Sequence, residues 1–248
     1  MIHDLLVSLR AEILKLNRTL ALWMVLITPL IVVALPFYIA YDRGAQFSAQ
    51  SDGWALFAQM CTSMWAVFML PLFITLETAL SNQLEHTAKA WKNLFALPLA
   101  RGSIYTAKLL VAFGMIAVST IVLGVGIAVA GTALSIIRPN LHISPYIPVG
   151  LIIEKAFLPF FASWLIIAFH FWLSARWQGF VVSLGTGIGA VFFTVFASGA
   201  TLGKFYPWLL PVNALSDERR FLALLIGITG GILVSLIGAW DISRRDVL

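Results

Sequence analysis

The sequence predicts an all-α, polytopic membrane protein with six transmembrane helices, an N-terminal interfacial helix, and an amphipathic helix between spans two and three. Two observations predict this class. Of the 248 residues, 60% are hydrophobic and only 11% are charged, whereas soluble domains carry about 25% charged residues. Six stretches without Asp, Glu, Lys or Arg each reach the roughly 20 residues that cross a bilayer, namely 19–41, 53–76, 109–137, 156–175, 177–203 and 221–240. Residues 1–248 are therefore predicted to form a single transmembrane domain.

Charge and cysteine content exclude several other classes. The formal charge is +5, but the basic residues are spread over the polar segments, so anionic lipid headgroups explain them better than nucleic acid does. The single cysteine, Cys61, lies in an apolar run, which excludes a disulfide framework and a multi-cysteine metal site. The apolar run 19–41 is longer than the core of a signal peptide, so it is predicted to remain as an anchor.

Taken in order, the chain begins with an amphipathic segment over residues 2–19. One helical stripe is apolar and consists of Ile2, Leu5, Leu6, Leu9, Ile13 and Leu16, and the stripe opposite holds Asp4, Ser8, Lys15 and Arg18. This pattern predicts a helix that lies along the membrane surface, with a cytosolic extension of the first span as the alternative. The spans are then placed at about 20–41, 54–76, 106–131, 155–174, 180–200 and 221–240.

The basic residues predict the orientation of the spans. With the N-terminus in the cytosol, ten Lys and Arg residues lie on the cytosolic side and six on the opposite side. Because Lys and Arg are enriched in cytosolic connections, this excess predicts both termini in the cytosol.

The longest polar interruption, residues 77–108, lies between spans two and three. Its apolar helical face consists of Leu80, Leu84, Ala88, Trp91, Leu94 and Phe95, and its polar face of Ser81, Asn82, Glu85, His86, Lys89, Lys92 and Asn93. Glu85 and Lys89 are spaced as a favourable helical ion pair. The helix is predicted to end before Pro98, with Ser103 as the N-cap of the next helix. We expect the polar face to dock a soluble partner.

Two further patterns concern helix packing and the opposite side of the membrane. Rows of small residues predict helix-packing faces in spans five and six. These faces are expected to contact other helices of the same chain, with a homodimer interface as the alternative. These rows contain Gly185, Gly189, Gly227 and Gly231. The aromatic segment 201–218 is predicted to lie in the non-cytosolic interface, either as a re-entrant segment or as an aromatic-belt anchor.

The chain lacks the motifs of an energy source or of catalysis. It contains no Gly-x4-Gly-Lys-Ser/Thr loop for phosphate and no His-Glu-x-x-His pair. His170 is the only histidine predicted within a span, and a packed histidine explains it better than a proton carrier. Glu77 is predicted at the cytosolic end of span two, so charge at the midplane, which an ion-coupled carrier needs, is not evident.

Several segments in order carry a family resemblance. They are residues 11–18, Glu77, residues 85–94, Leu97-Pro98, Arg101, Lys108, residues 206–211 and residues 243–246. With the six spans, they resemble the type-2 permeases of ATP-binding-cassette (ABC) exporters, in particular the compact permeases of the bacitracin-resistance and lantibiotic-immunity group. Where relatives often have Gly after the acidic pair, this chain has His86-Thr87-Ala88.

The resemblance implies a permease subunit in a bacterial inner membrane. It would pair with a second copy or a related permease and bind separate ABC ATPase subunits, which hold ATP and Mg, while this chain binds no cofactor. The implied cargo is an antimicrobial peptide or another amphipathic, lipid-like compound. The expected docking and coupling residues are Glu77, Glu85, His86, Lys89, Trp91, Lys92, Leu94, Arg101 and Arg176, although a plain positive-inside anchor explains Arg176 equally well.

Two other classes compete with this interpretation. An ion-coupled secondary transporter or channel would need charge near the midplane of the bilayer. An intramembrane enzyme would need clustered His, Glu or Asp residues on facing spans, and His170 stands alone.

Overall fold

The computed structural model describes residues 2–16, 19–42, 52–87, 100–177 and 179–244. In these ranges the regular structure is helical and no residue is in a strand, which confirms the predicted all-α membrane class. The helices are α1 (Ile2–Lys15), α2 (Leu20–Asp42), α3 (Gly53–Met64), α4 (Leu70–Thr87), α5 (Arg101–Ile137), α6 (Val149–Ala162), α7 (Trp164–Arg176), α8 (Phe180–Ser198), α9 (Leu210–Asn213) and α10 (Arg220–Ser243). A π-helical turn, Trp65–Met69, joins α3 to α4.

Five of the described helical segments are long and apolar enough to cross a membrane. They are Leu20–Asp42, Gly53–Gln83, Arg101–Ile137, Phe180–Ser198 and Arg220–Ser243. The pair α6 and α7 supplies a sixth if its two halves, bent by 44°, form one span. The bend has a local cause at Ser163, whose hydroxyl donates to the Phe160 carbonyl of its own helix at 2.7 Å.

Helix α5 occupies the middle of the bundle and contacts α1, α2, α6 and α10. Helix α10 also packs along α7, and α4 packs against α7 and α8. The core between these helices holds the large buried rings of Trp54, Trp65, Tyr105 and Phe171. In a bilayer, contacts of this kind rest on close van der Waals packing.

The boundaries around residues 77–108 differ from the prediction. Helix α4 continues through Glu77 to Thr87, so the first part of the predicted docking helix is an extension of span two. The prediction that Asn82 lies on an exposed polar face is wrong, because this side chain is fully buried. The prediction of Ser103 as an N-cap is also wrong. Helix α5 begins two residues earlier, and the Ser103 hydroxyl donates to the Ala100 carbonyl at 2.6 Å.

The N-terminal helix α1 forms, but its orientation differs from the predicted stripe. Ser8, which was assigned to the polar stripe, is buried together with Glu12 in a helix that packs against α5. Leu6 and Ile13 of the apolar stripe are exposed instead. The polar contacts with α5 therefore turn part of the apolar stripe away from the bundle, where lipid can contact it.

Candidate functional site: polar contacts at one end of the bundle

Polar contacts between helices gather at the end of the bundle where α1 meets α5 and where α4, α7 and α10 end. We call this end the termini side, and the end with the connections 43–52, 138–148 and 199–219 the loop side. Three cross-helix contacts define the termini side. They are Glu12–Lys108 between α1 and α5, Asn82–Ser174 between α4 and α7, and Arg176–Asp241 between α7 and α10.

The ion pair between Glu12 and Lys108 is the most buried of these contacts. The Lys108 Nζ lies 2.8 Å from Glu12 Oε2, and the two side chains are only 5% and 11% exposed. Lys15 reaches the other carboxylate oxygen, Oε1, at 2.7 Å and is 40% exposed. Breaking a buried pair strands a charge in a medium that solvates it poorly, so this contact resists separation of α1 from α5.

Asn82 connects α4 to α7. Its Nδ2 donates to the Ser174 hydroxyl at 2.9 Å and to the Thr78 carbonyl at 3.1 Å. Its Oδ1 has no hydrogen-bond partner among the described residues. Asn82 also lines a small cavity of about 30 Å³ together with Glu12, Ser81 and Lys108. A space of this size accommodates a water molecule.

Arg176 is placed by the end of α10. Its guanidinium donates to both carboxylate oxygens of Asp241 at 3.1 and 3.2 Å, and the indole of Trp172 donates to the same carboxylate at 3.1 Å. The guanidinium is also 5.9 Å from the Trp177 ring. Arg176 therefore ties α7 to α10 inside the chain.

The structure separates the other predicted docking residues. Glu77 is fully buried, and its Oε1 accepts a bond from Ser81 at 3.2 Å, so it lies inside the bundle and not on a docking surface. Arg101 is the half-buried first residue of α5. Glu85 and His86 belong by their backbone to the last turn of α4. Lys89, Trp91, Lys92 and Leu94 lie outside the described residues.

The glycines expected at packing faces fall into two groups. A Cβ added at Gly227 or Gly231 of α10 would collide with Ala162 or Trp164, at the bend between α6 and α7. Gly185 and Gly189 of α8 have no described atom within 4 Å of such a Cβ. On α8 the close contact is made by Gly187, which faces Thr75 of α4.

The aromatic segment of the loop side enters the bundle. The Tyr206 hydroxyl donates to the carbonyl of Ala190, well within α8, at 2.8 Å. Burial raises the pKa of this phenol. The Trp208 ring packs edge-on to His170 of α7, with centroids 5.7 Å apart. These contacts attach the segment to α7 and α8.

His170 is a fully buried, packed histidine. The Thr75 hydroxyl donates its one proton to the Pro71 carbonyl at 2.8 Å. The same hydroxyl also contacts His170 Nε2, at 3.4 Å. The remaining nitrogen, Nδ1, is buried and has no partner among the described residues.

Sequence reasoning missed Asn82, Ser174 and Thr75 as interior contacts. One signal for them was present, because Thr75, Thr78 and Asn82 recur at three- and four-residue spacing on one helical face. Their partners on α7 and α8 are distant in the sequence, and no short-range spacing pattern links them to α4.

Comparison with known proteins agrees with this architecture. The sequence model described as "ABC-2 family transporter protein" matches residues 8–198, which is more than half of the chain. No curated protein matches the chain. The matched region runs from α1, with Glu12, to the end of α8, and so includes the contacts Glu12–Lys108 and Asn82–Ser174. The chain therefore belongs to the ABC-2 family of transporter proteins.

Proposed function

We propose that this chain is the permease subunit of an ABC exporter that moves an amphipathic substrate, either an antimicrobial peptide or a lipid-like compound. The family match over residues 8–198 is the observation that carries the proposal. A permease of this family is a transmembrane component and not itself an ATPase, so ATP and Mg are bound by a separate ABC ATPase subunit. The resemblance to bacitracin-resistance and lantibiotic-immunity permeases supports the proposed cargo and a bacterial inner membrane.

The proposed ATPase contact is the last turn of α4 together with the connection to α5. Its polar residues are Glu85 and His86 in the helix and Lys89 and Lys92 in the connection. The support is that this connection joins two helices that are both anchored in the bundle. Asn82, near the end of α4, is bonded to α7, and Lys108, near the start of α5, is paired with α1. A displacement of the connection would therefore move α7 through Asn82 and α1 through Lys108 at the same time.

We also propose that two permeases pair, either as a homodimer or with a related permease. The support comes from α8, where Gly185, Gly189 and the large side chains Phe192 and Phe196 are exposed. Small residues let helices approach closely in lipid. The positive-inside count supports placing both termini in the cytosol.

One buried group favours a second candidate function, an ion-coupled transporter or channel. Glu77 lies fully buried in the Gly53–Gln83 segment, and its Oε2 has no partner among the described residues. Ionisable groups buried in spans mark ion pathways in many transporters.

The experiment that separates these functions is co-purification followed by reconstitution. The chain is co-expressed with candidate ABC ATPase subunits and purified through a tag on the permease. Uptake of labelled amphipathic peptide into inside-out vesicles is then measured. We expect a stable complex, no ATP hydrolysis by the permease alone, and uptake that requires ATP and the phosphate-loop lysine of the partner. Uptake by the lone chain driven by an ion gradient would overturn the exporter proposal in favour of the second candidate.

A further inference from the structure

Spans two and four are each interrupted at the same distance from their loop-side ends. In span two, the π-helical turn Trp65–Met69 separates α3 from α4, and in span four the 44° bend at Ser163 separates α6 from α7. Val67, in the middle of the π-helical turn, lies 14 residues after Gly53, where α3 begins. Ser163 likewise lies 14 residues after Val149, where α6 begins. At about 1.5 Å per residue, both interruptions are about 21 Å along their helices.

The interruption of span two has a cause in the sequence. Leu70 donates its N–H to the Trp65 carbonyl, five residues back, instead of the four residues back of an α-helix. Pro71 follows, and it has no N–H to donate to the Val67 carbonyl of the turn. Because the helical hydrogen bonding is already interrupted here, bending at this turn breaks fewer hydrogen bonds than bending within a regular α-helix.

The halves of the two interrupted spans pack in matching pairs. On the loop side α3 packs against α6, and on the termini side α4 packs against α7. The Trp54 indole ties α3 to the segment that leads into α6, because it donates to the Ser144 carbonyl at 2.7 Å. The bond between Asn82 and Ser174 ties α4 to α7. Each pair therefore forms one unit, and the chain joins the two units through the two interruptions.

Other elements meet spans two and four at the interruptions themselves. The short helix α9 contacts both the π-helical turn and α6. Gly227 and Gly231 of α10 lie against Ala162 and Trp164, on either side of the bend. Points close to an axis of rotation move least, so a rotation about the interruptions preserves these contacts while the ends of the helices move.

We propose that the two interruptions form one hinge, about which the termini-side halves α4 and α7 rotate as a unit against the loop-side halves α3 and α6. Hinges are a few residues at the ends of elements that absorb a change in backbone angles. The lever arm of α7, from Ser163 to Arg176, is about 20 Å, so a rotation of about 10° moves its end by about 3 Å. The hinge is a property of the chain alone and does not depend on the proposed exporter function.

The test measures distances between pairs of spin labels by double electron–electron resonance, on the full-length chain in lipid nanodiscs. The buried Cys61 is first replaced by Ala. A termini-side pair joins Leu14 of α1 to Val181, at the start of α8 and close to the end of α7, and a loop-side pair joins Tyr38 of α2 to Val149 of α6. These four side chains are between 58% and 78% exposed, so labels there do not disturb the packing. We expect the distance distribution of the termini-side pair to be broader by about 3 Å than that of the loop-side pair.

Matched variants separate a hinge from general flexibility. Pro71→Ala supplies an N–H for the Val67 carbonyl, and Ser163→Ala removes the side-chain hydrogen bond that bends span four. Each is expected to remove about half of the extra width of the termini-side distribution. Pro36→Ala and Ser135→Ala make the same changes in α2 and α5, which are not interrupted, and leave both distributions unchanged.

Three outcomes would each overturn the hinge. They are equal widths for the two pairs in the otherwise unaltered protein, no narrowing by either Pro71→Ala or Ser163→Ala, and equal narrowing by the control variants. Ser163→Ala alone decides the second of these if Pro71→Ala is not recovered folded. None of the measurements involves an ATPase or a cargo, so failure of the hinge leaves the exporter proposal standing.

Discussion

The three alternating glycines of α8 allow a matched test of which face of the helix packs inside the chain. Gly187→Ala would place a Cβ against the Oγ1 and Cγ2 atoms of Thr75 and 2.8 Å from its Cβ. Gly189→Ala makes the same chemical change one half-turn away, with no described atom within 4 Å of the added Cβ. The two variants therefore differ only in what the new methyl group meets.

The expected magnitude follows from two terms. Replacing a helical glycine by alanine stabilises a helix by about 1 kcal/mol, and both variants share this gain. Only Gly187→Ala also overpacks the interior, which costs about 1–3 kcal/mol. Thr75 cannot simply turn away, because its hydroxyl donates to the Pro71 carbonyl and contacts His170 Nε2. The shared gain cancels, so we expect the two variants to differ by about 1–3 kcal/mol, with Gly187→Ala the less stable.

The assay is unfolding by sodium dodecyl sulfate in mixed micelles, followed by circular dichroism. A double-mutant cycle with Thr75→Ala should show coupling, because the smaller side chain relieves part of the overlap. Equal stability of Gly187→Ala and Gly189→Ala would refute the assignment of Gly187 to the packed face. If Gly189→Ala is the variant that loses stability, and if it also forms less cross-linked dimer, the result would instead support the proposed homodimer seam.

Three further predictions test the polar contacts and the proposed docking segment. Glu12→Gln removes the carboxylate that pairs with buried Lys108 and should lower the free energy of unfolding by about 3–5 kcal/mol. Lys15→Met removes the more exposed partner of Glu12 and should lower the free energy of unfolding by about 0–1 kcal/mol in the same assay. Glu85→Ala should weaken binding of the ATPase in a pull-down by about 1.5–3 kcal/mol. Lys89→Ala also removes the predicted Glu85–Lys89 pair, but it should weaken binding by only about 0.2–0.5 kcal/mol. Equal binding by the two variants would place the contact elsewhere. Trp208→Phe should unfold within about 1 kcal/mol of the wild type, because its indole N–H has no partner among the described residues, while Trp208→Ala should lose about 3 kcal/mol or more.

The class of fold could be predicted because crossing a bilayer imposes a requirement that does not depend on tertiary packing. About 20 apolar residues are needed whatever the neighbours are, and each uncharged stretch overlaps a described helical segment. The ends of the elements depend on neighbours. The polar residues after Glu77 were predicted to leave the bundle, but Asn82 finds Ser174 inside it, and α4 therefore continues to Thr87. A polar side chain in a span stays buried when a neighbouring helix supplies its partner.

The glycines of α8 show a second limit of sequence reasoning. Gly185, Gly187 and Gly189 all lie within one short stretch, and periodicity alone does not decide which of them faces inward. The structure selects Gly187 because Thr75 of α4 projects toward it. For Arg176, the positive-inside rule and the resemblance predicted two different roles, and the Asp241 carboxylate that binds it lies 65 residues away. Such long-range pairs are set by how the helices assemble.

The two ends of the bundle differ in how strongly charge holds them together. On the termini side, the Glu12–Lys108 pair is almost completely buried, whereas the described loop-side pair between Glu154 and Arg220 has side chains that are 46% and 32% exposed. Breaking the first costs about 3–5 kcal/mol, and breaking the second about 0–1 kcal/mol. If the connection between α4 and α5 receives a push from an ATPase, as proposed, the termini side therefore moves with its helices still joined. The helices separate more cheaply at the loop side, so that is where we expect a pathway for the cargo to open.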